Sequence, residues 1–291
     1  MRSEFPPDSP VRDRAGEVVG NRYRLDSLLD RGGQATVYRG RDLRMGDEVA
    51  IKVILPPQKP EASWRDRVLR EVHALTVLAG TAAVRAYHQV WGEDGTLYLI
   101  MELLHGQNLQ ACLEMADDAG QRLSLADIRP IFEPVVSTLE VAHAAGILHR
   151  DLKPSNIFVQ TDGSVRLLDF GFAKFLRMPA VTLAGHIAGS PSYIAPESWK
   201  ESTEGLDQRL DVYGFSAVAF RALAGRPPFV ADGVLEIMRQ CSSGPRPSLH
   251  ALRPDLPPAV DHWVASALAI EPDERFVSVR ASWTALCNAL S

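Results

Sequence analysis

The chain changes character at Gly106, and that change constrains its fold more than any other feature. Before it, short apolar runs bounded by turn residues read as strands over 23–29, 35–41, 48–55, 86–91 and 97–101. The second and third are joined by a turn at Met45-Gly46-Asp47, the last two by Gly92-Glu93-Asp94-Gly95, and Pro56, Pro57 and Pro60 stop the third. Between the third and fourth runs, Trp64, Val68, Val72, Leu75, Leu78 and Ala79 recur at helical spacing, which predicts an amphipathic helix over 62–79. Glu71 and Leu75 sit one turn apart near its inner edge. After Gly106 the periodicity is helical, over 127–145 (closed by Gly146), 207–224, 233–241, 259–269 and 278–290. A strand-rich front and a helical rear predict an α+β chain of two lobes, joined near 102–106. Residues 1–20 carry Pro6, Pro7, Pro10 and charges without an apolar period, and are expected to form a flexible N-terminal tail.

A chain of 291 residues can bury a substantial core. Its 31 basic and 36 acidic side chains leave a formal charge of −5, which argues against a nucleic acid or an anionic membrane as partner. With no apolar run near membrane-spanning length and no signal-peptide pattern after Met1, a cytoplasmic location without a membrane anchor is expected. Cys112, Cys241 and Cys287 are odd in number and far apart, so they are expected to pack as small apolar residues in a reducing compartment. His73, His88, His105, His143, His186, His250 and His262 show no ligand spacing and are expected in packing or surface positions.

The chemistry is concentrated in one octet, His149-Arg150-Asp151-Leu152-Lys153-Pro154-Ser155-Asn156, followed thirteen residues after Asn156 by Asp169-Phe170-Gly171. Upstream lies Val49-Ala50-Ile51-Lys52, with Glu71 nineteen residues beyond Lys52. Downstream come Gly189-Ser190-Pro191-Ser192-Tyr193, Ala195-Pro196-Glu197, Asp211-Val212-Tyr213-Gly214 and Glu271-Pro272-Asp273-Glu274-Arg275-Phe276. In this order the motifs resemble the eukaryotic-type (Hanks-type) serine/threonine protein kinases that bacteria also carry, over residues 22–290. The resemblance implies a two-lobed fold: a small antiparallel N-lobe sheet with one main helix, and a larger helical C-lobe. The implied boundaries are 21–104 for N-lobe and hinge and 105–291 for C-lobe.

It also implies roles. Asp151 would orient the attacking hydroxyl and take its proton, and Lys153 would stand near the γ-phosphate, a position that favours serine and threonine substrates. Asn156 and Asp169 would hold Mg²⁺, with Mn²⁺ as the alternative, because such ions take oxygen from one or two side chains plus phosphates and water. Lys52 would reach the α/β-phosphates of ATP and pair with Glu71. Leu29, Val37 and Ala50 above and Phe158 below would enclose adenine; Met101 would be the gatekeeper, and backbone groups of Glu102 and Leu104 would read the adenine edge.

The glycine-rich loop departs from the family pattern. In Asp30-Arg31-Gly32-Gly33-Gln34-Ala35-Thr36-Val37 the middle glycine, Gly32, is kept, while Asp30 and Ala35 replace the outer two. Glycine there lets backbone amides approach phosphate, so nucleotide affinity is what the departure touches. Asp30 is expected to point outward. In the activation segment, Ser190 takes the position of the threonine that bonds the catalytic aspartate and lysine. The other hydroxyls after Phe172 are Thr182, Ser192 and Tyr193. Phosphate on Thr182 would pair with Arg150 and Lys174 and order the loop. Glu197 and Arg275 match a buried ion pair of the family, and Asp211 its tether for the catalytic-loop backbone.

The expected partners are ATP and a protein with a serine or threonine acceptor, and autophosphorylation would be served by a homodimer. Two other readings stay open at this point. One is a kinase-fold nucleotide-binding scaffold, pseudokinase-like, weakened by the altered loop. The other is transfer to a small molecule, which Lys153, Ser190 and Ala195-Pro196-Glu197 disfavour.

Overall fold

The computed structural model describes residues 13–31, 35–57, 64–170, 191–199 and 205–291. The chain divides into two compact units, Met1–Pro60 with Ala86–Leu103, and Glu61–Arg85 with Leu104–Ser291.

In the first unit, β1 (Val18–Val19), β2 (Tyr23–Arg31), β3 (Ala35–Asp42), β4 (Glu48–Ile54), β5 (Ala86–Trp91) and β6 (Leu97–Glu102) form one antiparallel sheet in the order β1-β2-β3-β4-β6-β5. Five residues in a row of β4 are buried, so this strand is covered on both faces. On one face Tyr23, Leu25, Tyr38, Val49, Ile51, Val53, Tyr98 and Ile100 form an apolar cluster with Val19. Directly paired residues share a face, and Val37 pairs with Lys52, Lys52 with Leu99, and Ala50 with Met101. These five therefore stand together on the opposite face.

The expected flexible tail ends earlier than residue 20. Gly16 N donates to Leu25 O at 2.7 Å and Leu25 N to Glu17 O at 2.9 Å, which leads into β1. Arg14 N donates to the Tyr38 hydroxyl at 3.2 Å, and the Arg14 guanidinium bonds the Tyr98 hydroxyl and reaches Asp94 at 3.4 Å. The attachment is polar, made by backbone groups, one arginine, an aspartate and two tyrosine hydroxyls. Apolar periodicity carries no sign of it. Residues 1–12 lie outside the described residues.

The second unit holds α1 (Trp64–Val77), α2 (Leu109–Asp118), α3 (Leu125–Ala144), α4 (Arg209–Ala224), α5 (Val234–Ser243), α6 (Leu249–Leu252), α7 (Ala259–Ala267) and α8 (Val279–Ala289). It also holds a small antiparallel sheet, β7 (Gly106–Asn108), β8 (Ile157–Gln160) and β9 (Val165–Leu167), in that order. The helical rear expected from the sequence is found, and this small sheet is added to it, its strands of three or four residues being too short to show a period. Gly106 has φ 146°, and a Cβ on it would lie 2.2 Å from Val159 O, so only glycine lets β7 approach β8.

Helix α3 runs through Pro130 and Pro134, residues that break most helices. Its buried face explains this. Ile128, Phe132, Val135, Val136, Leu139 and Ala142 are all fully covered. Phe132, Phe215 and Trp283, from α3, α4 and α8, meet edge-on with ring centroids 5.5–6.1 Å apart. Each ring buried stabilises by about 1.5–3 kcal/mol, enough to offset the backbone bonds the prolines forfeit. At its start, Asp127 accepts from the Ser124 amide and hydroxyl at 2.8 and 2.6 Å. Helix α4 ends on Gly225, whose φ of 76° lets its amide return to Arg221 O at 3.1 Å. Among the described residues no helix is long and apolar enough to cross a membrane.

Candidate active site

Between α3 and β8 the chain turns through the octet, and hydrogen bonds hold its Asp151, Lys153 and Asn156 side chains together. Asp151 Oδ2 accepts from Lys153 Nζ at 2.7 Å and from Asn156 Nδ2 at 3.0 Å. Among the described residues Oδ1 accepts no hydrogen bond. Asn156 is buried in a short 3₁₀ turn, Pro154–Asn156, and its amide nitrogen also donates to Asp151 O at 2.8 Å. With both N–H bonds turned toward Asp151, the Asn156 carbonyl oxygen is left as a hard donor.

Asp169, two residues beyond β9, is placed from the same turn. Leu168 N donates to Asn156 O at 2.8 Å, so the backbone before Asp169 is stitched to Asn156. Asp169 itself has φ 58°, a left-handed conformation that costs a non-glycine residue about 1–3 kcal/mol and persists only where neighbours impose it. His149 is one of those neighbours. Its Nε2 donates to Leu168 O at 2.8 Å, and its ring packs on Phe170 with centroids 4.7 Å apart. A carbonyl can only accept, so Nε2 carries the proton, and Nδ1 accepts from Asp151 N at 3.3 Å. The ring is fully buried, which lowers its pKa and keeps it neutral.

Asp211, at the start of α4 and fully covered, supports the octet from beneath. Its Oδ1 accepts from Arg150 N at 2.7 Å, and its Oδ2 from His149 N at 2.8 Å and His143 Nε2 at 2.8 Å. Arg150 is left-handed as well, with φ 69°. His143, expected in a packing or surface position, is covered at its side chain and also makes this hydrogen bond, which nothing in its spacing announced.

Glu197 and Arg275 meet in a bidentate pair, both distances 2.7 Å, with the Arg275 side chain fully buried and its guanidinium over the Tyr213 ring at 5.0 Å. The two described hydroxyls of the activation segment are both buried. Ser192 Oγ donates to Phe229 O at 2.5 Å, and burial pushes the Tyr193 phenol up to about 12. Thr182, Ser190 and Lys174 lie outside the described residues.

In the first unit Lys52 and Ala50 are buried, Met101 is nearly so, Val37 is half-buried and Leu29 is exposed on β2. Asp30 is exposed, and its Oδ1 accepts from Arg31 N at 2.8 Å. Gly32 lies outside the described residues, as does the side chain of Glu71 on α1. Phe158, on β8, pairs with Asn108 and Arg166 in the second unit, and Glu102 and Leu104 are half-buried where the two units join in sequence. A cavity of about 670 Å³ in the first unit, lined by Arg22, Tyr23, Asp42, Met45, Tyr87 and His88 among others, contains none of these residues. The three cysteines are free, Cys241 buried and the other two half-buried.

The octet thus brings together a carboxylate held by a lysine and an asparagine, with the segment that leads to Asp169 stitched to that asparagine. The model of the protein kinase domain family matches residues 23–281. The serine/threonine-protein kinase PknA of Mycobacterium tuberculosis is 35% identical over 269 residues, covering 91% of this chain and 60% of that protein. PknL of the same organism is 33% identical over 265 residues, covering 91% and 64%, and Pkn1 of Myxococcus xanthus 34% over 298 residues, covering 98% and 41%. The crystal structure of the Mycobacterium tuberculosis PknI kinase domain superposes with a TM-score of 0.72 at 27% identity, covering 96% of this chain and all of that one. The chain belongs to the protein kinase domain family and has its fold. It spans less than two thirds of the length of PknA and PknL.

Proposed function

We propose that this chain transfers the γ-phosphoryl group of ATP to serine or threonine hydroxyls of proteins. The observation that carries the reading is the Asp151 carboxylate, with one oxygen fixed by Lys153 and Asn156 and the other accepting no hydrogen bond among the described residues. In the reaction a bond forms between the acceptor Oγ and phosphorus while the bond from phosphorus to the β,γ-bridging oxygen breaks, and ADP leaves. Asp151 Oδ1 holds the acceptor hydroxyl in line and takes its proton late. Lys153 neutralises charge on the passing phosphoryl oxygens, and its contact with Oδ2 leaves Oδ1 for the hydroxyl. The Asn156 carbonyl and the Asp169 carboxylate are the oxygen donors that Mg²⁺ prefers, and the ion would supply charge neutralisation on the phosphates.

On the first unit, Lys52 would hold the α/β-phosphates and pair with Glu71. Leu29, Val37, Ala50 and Phe158 would cover adenine beside Met101, Glu102 and Leu104. Functionally we divide the chain into a nucleotide-holding part, 21–104, and a metal- and acceptor-holding part, 105–291. Burial of Ser192 and Tyr193 leaves Thr182 and Ser190 as the candidate switch hydroxyls, with Arg150 as the partner of a phosphate on Thr182. We place the reaction in the cytoplasm, with a homodimer serving autophosphorylation.

The test is transfer from radiolabelled ATP with Mg²⁺ by the wild type and Asp151→Asn, followed by phosphosite mapping. Label in the wild type only, with ATP binding equal in both, is expected. ATP bound but no label on the chain or on a general protein acceptor would refute transfer.

A further inference from the structure

Arg221, Arg253 and Arg275 are buried, and they are not equally satisfied. Arg275 donates five hydrogen bonds and Arg253 four, as a charge taken out of water requires. Arg221, in the last turn of α4, has a side chain 6% exposed and donates one, from Nη2 to Asp117 of α2 at 2.5 Å. Its Nη1 is buried with no hydrogen-bond partner among the described residues. Asp117 is not reserved for Arg221 either. A Cβ on Gly225 would lie 3.2 Å from Asp117 Oδ1 and 2.9 Å from Arg122 Nη1, so a second guanidinium stands near the same carboxylate. A guanidinium covered this fully with one hydrogen bond is costly unless an anion completes it.

Its place says where that anion comes from. Gly214 of α4 lies against the octet and the activation segment together: a Cβ there would be 3.0 Å from Leu152 Cβ and 3.5 Å from Tyr193 O. Leu152 directly follows Asp151. Arg221 is two helical turns further along α4, so it leaves the same face of the helix about 10 Å away. Tyr193 spans the interval. Its phenol is pushed up by burial and drawn down by the Arg221 charge, which makes ring and guanidinium neighbours. An extended peptide advances about 3.3 Å per residue, so an acceptor hydroxyl at Asp151 can bring a side chain about three residues away to Arg221.

We propose that Arg221 determines acceptor specificity: its unpartnered Nη1 takes an anionic side chain, carboxylate or phosphate, about three residues from the serine or threonine that receives the phosphoryl group. This names the acceptor class for the transfer activity proposed above, and rests on that activity.

The test is a positional scan on the whole chain with ATP and Mg²⁺. Each peptide carries one serine acceptor, and every neighbouring position in turn holds aspartate, phosphoserine or alanine. The quantity read is kcat/KM for the anionic peptide divided by that for its alanine counterpart. A charge-assisted bond to a buried arginine should raise this ratio to about 10 in the wild type, at a position about three residues from the serine. In Arg221→Gln the ratio should fall to about 1. A ratio is used because lost packing slows both peptides alike and leaves it unchanged, whereas lost recognition removes it. Preference for both anions, or for phosphoserine alone, supports the proposal and tells an encoded acid from one supplied by earlier phosphorylation. A wild type with no anionic preference at any position, or a preference kept in Arg221→Gln, overturns it. Should Arg221→Gln fail to fold, the pair Arg221→Gln with Asp117→Asn, which strands no carboxylate, carries the comparison. If the wild type transfers nothing to any peptide, the transfer reading fails by itself. Fluorescence anisotropy of the same peptides then decides Arg221: tighter binding of the anionic peptide that is lost in Arg221→Gln supports the contact, and equal binding overturns it.

Discussion

Replacing Arg275 by alanine should remove more stability than any other single change away from the octet. Arg275 makes five hydrogen bonds: Nη1 and Nη2 to the two Glu197 oxygens at 2.7 Å, Nε to Ala269 O at 2.8 Å, Nη2 to Ile270 O at 2.8 Å and Nη1 to Arg209 O at 3.1 Å. None of the side chain is exposed, and the Glu197 side chain is 11% exposed. Breaking one partner of a buried pair costs about 3–5 kcal/mol, because the other charge is stranded. Three carbonyls are orphaned as well, at about 1 kcal/mol or more each. Water entering the space left by the guanidinium recovers part of this, so we expect a loss of about 5 kcal/mol. That is a large share of the roughly 5–15 kcal/mol that holds a protein folded. At about 2–4 °C per kcal/mol, Tm should fall by about 10–20 °C.

The assay is urea and thermal unfolding followed by far-UV circular dichroism, for Arg275→Ala, Glu197→Ala and a double replacement, Arg275→Met with Glu197→Leu. Replacing both members of a buried pair by apolar groups strands neither charge, so the double should be more stable than the sum of the singles by at least about 2 kcal/mol. Lysine at 275 should recover less than half the loss, since an ammonium cannot fork across two carboxylate oxygens and three carbonyls. A loss under about 1 kcal/mol in Arg275→Ala, or strict additivity in the cycle, would refute the reasoning.

Asn156→Ala removes a metal donor and one hold on Asp151; the Mg²⁺ concentration for half-maximal transfer should rise at least about tenfold, read from a Mg²⁺ titration at fixed ATP. Arg14→Ala should destabilise the first unit by about 1–2 kcal/mol through its lost bonds to Tyr98 and Asp94, read as earlier urea unfolding of that unit by tyrosine fluorescence. Asp42 is held down to about 2 by its side-chain bond with Arg22, helped by the amides of Arg44 and Met45. Its carboxylate therefore contributes stability that is fully present above the ordinary aspartate range and is lost as pH falls from about 4 through 2. A carboxyl-carbon NMR titration midpoint near the ordinary value, or a midpoint unmoved in Arg22→Ala, would contradict this.

What could be read from the residues and what could not divides along a physical line. The long helices and strands were legible because burial of one face imposes a period. The octet was legible because phosphoryl transfer requires fixed residue types at fixed spacing. The strands at 106–108, 157–160 and 165–167 were not, since pairing across the chain rather than any local pattern makes them strands. Residues 13–17 looked like tail for the same reason: their attachments are hydroxyls and carbonyls of distant strands. His143 was passed over because its partner lies 68 positions away on α4. Residues that perform the chemistry can be recognised by type, whereas those that aim them are defined by contacts that sequence spacing does not contain.

Helix α4 shows why so much aiming depends on one element. Every residue from Leu210 to Leu223 is buried, which only a helix at the centre of a helical unit can satisfy, and which makes any polar group on it expensive unless it is paired. Three of the polar side chains it carries bond to other elements. Asp211 holds the octet, Ser216 meets Ser282 Oγ of α8 at 2.9 Å, and Arg221 reaches Asp117 of α2 at 2.5 Å. Tyr213 lies under the Arg275 guanidinium that fixes Glu197. Each connection has fixed geometry because the helix cannot move without exposing its apolar surface or stranding a charge. The loop that carries Asp151 is therefore anchored, through Asp211, to a helix buried along its length. For the proposed transfer, which depends mainly on holding a hydroxyl in line, such fixed placement matters more than added reactive groups.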